Sequence, residues 1–374
     1  MNEQIDTVII GGGQSGLAVG YHLAKAGRPL VILEANEHIG DSWRKRWDSL
    51  RVFTPAKFNG LPGMRFPEPS LSFPTKDAVA AFQARYAERF KLPVKTSTRV
   101  DVLERDGDRY LVGTTRGTYS AANVVIATGA CQIPKIPAFA HELAPRILQI
   151  HSSLYTGPGQ LREGDVLIVG TGNSGAEIAI ELAKSRRVLV AGSNHAEVPF
   201  RHGAFGAAFA LPVIRFLGTY LLTVDTPMGK KAQPQFLRRG APLIRVKQND
   251  LIAAGVERVP RVVGVREGLP VLADDRAVDA ANVVWCTGFK TDFEWVHFPV
   301  FREDGRPRQY RGVVQSQPGL YFMGLEFQYA ATSAVLPGIV RDAGYVARHI
   351  LARVPARTSA QESAGVYAAV SMPK

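Results

Sequence analysis

The strongest constraint on the fold of this chain is an internal repeat with a fixed offset. Gly11, Gly13 and Gly16 of "DTVIIGGGQSGLAVGYHLAKAG" recur as Gly170, Gly172 and Gly175 of "VLIVGTGNSGAEIAIELAKS", 159 residues later. "AANVVIATGA" at 121–130 recurs as "AANVVWCTGF" at 280–289, again 159 residues later. Two separate motifs that keep one spacing indicate two related units, one beginning near residue 5 and the other near 164.

In each copy a β-rich apolar run leads into Gly-x-Gly-x-x-Gly and then into an apolar helical pattern. That context makes the motif a dinucleotide-binding turn. The first glycine permits a tight turn, the second lets the backbone approach a pyrophosphate, and the third lets helix pack on strand. The helix N-terminus then presents free N–H groups and a positive dipole end to the phosphates. Asn173 in "GTGNSG" either hydrogen-bonds a nicotinamide nucleotide or serves as a turn residue tolerant of unusual φ.

The two units differ at the end of the second strand. "PLVILEA" ends in Glu34, 23 residues after Gly11, where a carboxylate accepts a ribose hydroxyl. The matching position of "RVLVAGS" is Ser193, with Lys184, Arg186, Arg187 and Arg201 nearby in sequence. A 2′-phosphate is repelled by a carboxylate and attracted by cations, which favours NADPH over NADH; the duller reading makes these cations solvated surface charges. The pair of units therefore suggests a flavin in the first and a nicotinamide in the second.

At 374 residues, 46% hydrophobic and 21% charged, the chain suits a soluble globular protein with a large core. Its opening residues run straight into a strand without a basic leader, and its two cysteines, Cys131 and Cys286, form neither a disulfide framework nor a CxxC pair. A reducing, cytoplasmic setting follows, and a dithiol–disulfide reductase is disfavoured. The net charge of +12 comes without a nucleic-acid motif and with mostly scattered Lys and Arg, so its inward part is read as helping to hold phosphate-bearing cofactors. The eight histidines show no HxH or HExxH spacing, so no metal site is expected. One segment, 199–229, is unexplained by nucleotide binding. Pro212, Arg215 and Gly218 interrupt its apolar core and argue against a spanning helix. It reads as a buried helical insertion, a substrate-channel wall or lid, or a membrane-surface contact.

The two glycine motifs, the "ATGA" and "CTGF" segments and the C-terminal "GLYFMG" resemble the class B flavin-containing monooxygenases. The likeness extends to their short bacterial CzcO-like and plant auxin-forming relatives and runs to about residue 350. It implies an α/β fold with two Rossmann-like three-layer β/β/α domains, the NADP domain inserted in the FAD domain. The implied segments are 1–155 and 286–351 for FAD and 156–285 for NAD(P)H, with a loose tail at 352–374. "GDSWRKRWDSLRVFTPAKFNGLPG" at 40–63 resembles the segment that covers the flavin, which puts Trp43 near the ring and Arg51 to Pro55, including Thr54, near the substrate. The family's identifying motif, F-x-G-x-x-x-H-x-x-x-Y/F/W, is met in part by "PRILQIHSSLY". His151 and Tyr155 fit, whereas Pro145 and Ile147 replace Phe and Gly; Tyr155 leans toward N- or S-oxygenation. His151 is either a direct influence on catalysis or a brace at the domain junction.

The implied FAD contacts are Gly11, Gly13, Ser15, Gly16, Glu34, Ala35, Trp43, Val100, Thr128, Gly129 and Gly324. Those for NADPH are Gly170, Gly172, Asn173, Ser174, Ser193, Arg201, Thr287 and Gly288. Thr128–Gly129 and Thr287–Gly288 mark chain crossings between domains, and Cys286 reads as a small buried residue. The C-terminal helix is expected to aim its N-terminus at the flavin pyrimidine. The resemblance implies that NADPH reduces FAD and that O2 forms a C4a-(hydro)peroxyflavin, which oxygenates a small organic substrate, an apolar one if 199–229 lines the channel. No catalytic protein residue need be invoked beyond the candidates Trp43, Thr54, His151 and Tyr155, because the cofactor carries the hard step. A flavoprotein reductase without oxygen insertion and a non-catalytic NADP(H)-binding protein are the alternatives. The sequence carries no signal for oligomeric state.

Overall fold

A computed structural model describes residues 3–353. The tail expected at 352–374 lies, beyond Arg353, outside the described residues. The chain opens with β1 (Glu3–Ile10), α1 (Gln14–Lys25) and β2 (Leu30–Leu33), then α2 (Asp41–Arg44) and α3 (Lys76–Arg89). Strand β3 (Val94–Lys95) precedes a meander of β4 (Val100–Asp106), β5 (Arg109–Thr114) and β6 (Gly117–Ile126), and β7 (Ile133–Pro134) leaves it. The second unit comprises β8 (Leu148–His151), β9 (Val166–Val169), α4 (Asn173–Leu182) and β10 (Val188–Ala191). It continues through α5 (Leu211–Phe216), α6 (Pro227–Arg239), α7 (Gln248–Ala253), β11 (Glu257–Val259), the hairpin β12 (Val262–Arg266) and β13 (Leu269–Leu272), and β14 (Asn282–Trp285). The chain returns through β15 (Phe289–Lys290) and β16 (Leu320–Phe322) to α8 (Leu336–Ala352).

The first sheet has the order β3-β2-β1-β6-β5-β4, with β16 also pairing β6. Strand β6 is long enough to serve both neighbours: 117–121 pairs antiparallel with β5, and 124–126 pairs parallel with β16. Alternate side chains then separate two layers. Ile9, Ile32, Val125 and Tyr321 face a helix layer that includes Leu17 of α1, Phe82 of α3 and Ile339 of α8. Val8, Val31, Val124 and Phe322 face Leu103, Val112 and the returning Phe293 and Val300.

The second sheet repeats the plan with the order β11-β10-β9-β14-β8, all parallel, and the β12–β13 hairpin on one face. The correspondence explains a departure from the expected boundary. Strand β8 beside β14 takes the place that β16 takes beside β6. In the first unit this fifth strand arrives at the end of the chain; in the second it comes before the glycine turn. The second sheet therefore begins at Leu148, inside the segment assigned to the first domain. This gives two Rossmann-like units of three-layer β/β/α architecture, as the resemblance implies.

The segment at 199–229 is not a buried insertion. Wide helical turns at Gly206–Ala210 and Leu217–Leu221 flank α5, and one face is exposed. Its inner face is held by Thr219, whose hydroxyl contacts that of Thr332 at 3.1 Å, and by Arg215, whose guanidinium lies 5.0 Å from the Phe58 ring centre. Among the described residues no helix is long and apolar enough to cross a membrane.

The two units are joined at several places. The crossings pair as a short antiparallel ladder of β7 and β15. His151 braces them: Nε2 donates to the Gly288 carbonyl at 3.1 Å, and Nδ1 accepts from the Ser153 N–H at 3.1 Å. Elsewhere His202 donates to the Phe53 carbonyl at 2.9 Å and lies tilted against the Phe73 ring, 4.0 Å between centres. Burial holds the His151, His202 and His22 rings below the ordinary histidine value of 6.5, despite the carbonyl bonds of the first two. Each is therefore more readily protonated in the unfolded chain, so acid favours unfolding. Stability is expected to be insensitive to these groups well above pH 6.5 and to decline as pH falls below it. Urea-unfolding midpoints at descending pH check this, and His151→Gln is expected to show a shallower decline.

Candidate functional site

The two glycine turns have the same backbone geometry. Gly11 (φ +111°) and Gly170 (φ +121°) lie in a region that L side chains rarely adopt. A Cβ on them would stand 2.4 Å from the Ala127 carbonyl oxygen and 2.2 Å from that of Cys286, respectively. Ala127 and Cys286 are themselves 159 residues apart. Gly16 and Gly175 press on the carbonyls of Gly11 and Gly170, each at 2.0 Å from an added Cβ. The middle glycines, Gly13 and Gly172, face open space within 4 Å, each capping a helix N-terminus without a side-chain cap. Each turn thus leaves a bare backbone cradle at the positive end of a helix, where a pyrophosphate fits.

Around the first cradle, Glu34 accepts from the Gly12 N–H at 2.8 Å and from Asn36, so its carboxylate sits at the turn itself. Gly324 lies against Ser15: a Cβ there would be 2.7 Å from the serine oxygen. Trp43 donates from Nε1 to Gln14 Oε1 at 3.1 Å, and Gln83 donates to the same oxygen at 2.8 Å. Sequence reading missed Gln14 and Gln83, although the repeat sets Gln14 opposite Asn173. Thr54 is buried with its hydroxyl on Asn59, so it is a structural tie. Ala35 and Val100 lie just past β2 and at the start of β4, with Ala35 exposed.

At the second cradle several expectations are corrected. Asn173 Nδ2 donates to the Pro242 carbonyl at 2.9 Å and its Oδ1 accepts from the Ile244 N–H at 3.1 Å, so its amide fastens the 242–244 segment. Tyr155 is fully buried and donates to Glu181 Oε2 at 2.7 Å, while burial raises its pKa. It is a core anchor. Arg187 pairs with Asp165 and Glu257, and Arg186 bonds the Pro158 and Leu161 carbonyls. Both precede β10, whereas Ser193 follows it, so a strand's length of roughly 13 Å intervenes. Sequence proximity misled here. The cation at the correct end is Arg258 of β11, which donates to Asn194 Oδ1 at 2.7 Å. Arg201 instead lines a cleft of about 720 Å³ with His202, Arg245 and Lys247, a lining that includes neither Ser193 nor Asn194. Ser174 follows Asn173 in the first turn of α4, and Ser193 is exposed, its carbonyl accepting from Thr171 Oγ1 at 2.7 Å.

Two further groups lie at the junction. Burial pushes the Glu177 carboxyl up to about 7, against the pull of Arg245 at 3.0 Å, and the same guanidinium donates to the Arg51 carbonyl. Burial also pushes the Cys286 thiol up to about 12, which makes it an inert packing group under Gly170 and Gly175. The crossings hold their own side chains: Gln132 donates to Thr128 Oγ1 and the Gly129 carbonyl, and the Thr287 hydroxyl bonds the Lys135 carbonyl.

Comparison with known proteins agrees with this geometry. Residues 8–198 match the family model described as pyridine nucleotide-disulphide oxidoreductase. A CzcO-like oxidoreductase from Geobacillus kaustophilus is 37% identical over 94% of this chain and 99% of its own length. The probable indole-3-pyruvate monooxygenase YUCCA4 from Arabidopsis thaliana is 28% identical over 92% of this chain and 89% of its own. The solved flavin-containing monooxygenase from Stenotrophomonas maltophilia superposes with a TM-score of 0.75 at 26% identity, covering 94% of this chain and 99% of that one. With paired nucleotide cradles on paired sheets and this set of relatives, the chain belongs to the pyridine nucleotide-disulphide oxidoreductase family and, within it, to the CzcO-like oxidoreductases.

Proposed function

We propose that the chain holds FAD in the cradle of α1 and NADPH in the cradle of α4, and that it oxygenates a small apolar organic molecule with O2 at a nitrogen, sulfur or carbonyl centre. The observation that carries the reading is the contrast between two matched turns. One closes on the Glu34 carboxylate, suited to ribose hydroxyls; the other has Ser193 at that place with Arg258 beside it, suited to a 2′-phosphate. Bound FAD supplies the redox step, accepting hydride from NADPH and activating O2.

The protein's part is to bind, orient and exclude water. Bare N–H groups of α1 and α4 take the pyrophosphates, and the Trp43–Gln14–Gln83 network fixes the wall beside the first turn. We assign 1–147 and 286–353 to the flavin domain and 148–285 to the nicotinamide domain. The inner face of the 206–221 helix packs against Phe58 and Thr332, beside the 51–55 segment assigned to the substrate side, which supports its place at the wall of the substrate pocket.

The purified protein is expected to show a flavin spectrum and to oxidise NADPH. With substrate present, less H2O2 is expected than NADPH consumed; an H2O2 yield equal to NADPH consumption with every candidate amine, sulfide and ketone would remove oxygen insertion from the reading. Ser193→Asp is expected to lower kcat/KM for NADPH by about tenfold or more while sparing NADH, because like charges then meet at the 2′-phosphate. Arg258→Ala should act in the same direction. The glycines separate folding from binding. Gly175→Ala forces a Cβ onto the Gly170 carbonyl and is expected to cost about 3 kcal/mol of stability, read as a lowered Tm. Gly172→Ala meets no protein atom and is expected to leave Tm nearly unchanged while weakening NADPH binding, read by titration.

A further inference from the structure

We propose that the outward face of the 206–221 helix, together with the start of α6, is a docking surface for an anionic lipid bilayer. Phe205, Phe209, Val213, Phe216 and Tyr220 are between 54% and 77% exposed, at spacings of three and four residues that align them on one side. Met228, in the first turn of α6, extends the stripe. Scattered exposed apolar residues are ordinary, but a contiguous aromatic stripe marks an interaction site.

The stripe is not a face awaiting the protein's own core. The opposite side already carries the buried Ala207, Leu211 and Thr219, and Arg341 donates to the Thr219 carbonyl. The outward side faces solvent in a helix that is seated.

Charge identifies the occupant. Between 199 and 249 the chain carries eight lysines and arginines and one acid, Asp225. That acid is engaged by the Tyr310 hydroxyl at 2.9 Å. Arg201, Lys230, Lys231 and Arg238 are exposed. An exposed aromatic face flanked by cations and nearly free of carboxylates is the pattern of a helix lying in the headgroup layer of an anionic membrane. A second copy of the chain would bring the same positive surplus against this one, so the electrostatics oppose self-association through this face and favour lipid.

The test uses the full chain with sedimented vesicles of phosphatidylcholine alone or mixed equally with phosphatidylglycerol. Binding is expected to the anionic vesicles, to be much weaker to the neutral ones, and to fall as salt is raised. Phe209→Ser with Phe216→Ser is expected to cut the bound fraction at limiting lipid by about tenfold. Lys230→Glu with Lys231→Glu should also weaken it, by roughly fivefold or more for each charge removed. These positions lie outside the nucleotide cradles, so the flavin spectrum and NADPH oxidation in solution serve as the folding control. A Phe209→Trp reporter is expected to shift its emission to the blue on anionic vesicles. Absence of binding to anionic vesicles, equal binding to neutral ones, or binding indifferent to both double variants would overturn the proposal. A blue shift that follows protein concentration alone would assign the face to a second copy instead.

Discussion

The arrangement depends on a backbone contact made twice: a strand-end carbonyl pressed onto the first glycine of each turn. Ala127 stands over Gly11 and Cys286 over Gly170, at distances that leave no room for a Cβ. This contact ties the turn to the point where the chain leaves the sheet. Immediately past it come Thr128–Gly129 and Thr287–Gly288, so each nucleotide cradle is built beside a crossing to the other unit. The crossings pair as β7 and β15 and are braced by His151. The separation of the two cradles is therefore fixed by short hydrogen bonds at the junction.

Within that shared backbone, the two copies have diverged by side chain. Gly12, whose N–H meets Glu34, corresponds to Thr171, whose hydroxyl meets the Ser193 carbonyl. In the first copy the turn thus presents a carboxylate; in the second the same edge is neutral and gains Arg258 from the adjoining strand. On the proposed reading one fold holds two nucleotides of different charge, because the cradle is backbone and the discrimination is at the strand ends.

The division also explains what was legible in the sequence. Turn geometry and α8 follow from local pattern and from the repeat, because glycine spacing and alternation act within one element and its neighbours. Roles that depend on tertiary partners were hidden. Arg186 and Arg187 look close to Ser193 in sequence but stand at the opposite end of β10, whereas Arg258, distant in sequence, is adjacent. Tyr155 fits a family motif, yet Glu181 claims its hydroxyl; Asn173 lies in the turn, yet the 242–244 backbone claims its amide. The residues of β8 fall within the segment read with the first unit, and their pairing with β14, more than a hundred residues on, leaves no local signal.

The net charge illustrates the same limit at larger scale. Read from composition, +12 was a diffuse excess that served the phosphates. In the structure the cations near the second cradle are mostly committed elsewhere: Arg187 to Asp165 and Glu257, Arg186 to carbonyls, Arg245 to Glu177. Within 199–249, by contrast, Arg201, Lys230, Lys231 and Arg238 are exposed beside a helix whose inner face is already packed. Helix dipoles and bare N–H groups are enough to attract a pyrophosphate without such a surplus. Part of the excess positive charge therefore lies on the surface of the insertion, separable from the nucleotide binding proposed for the two glycine turns.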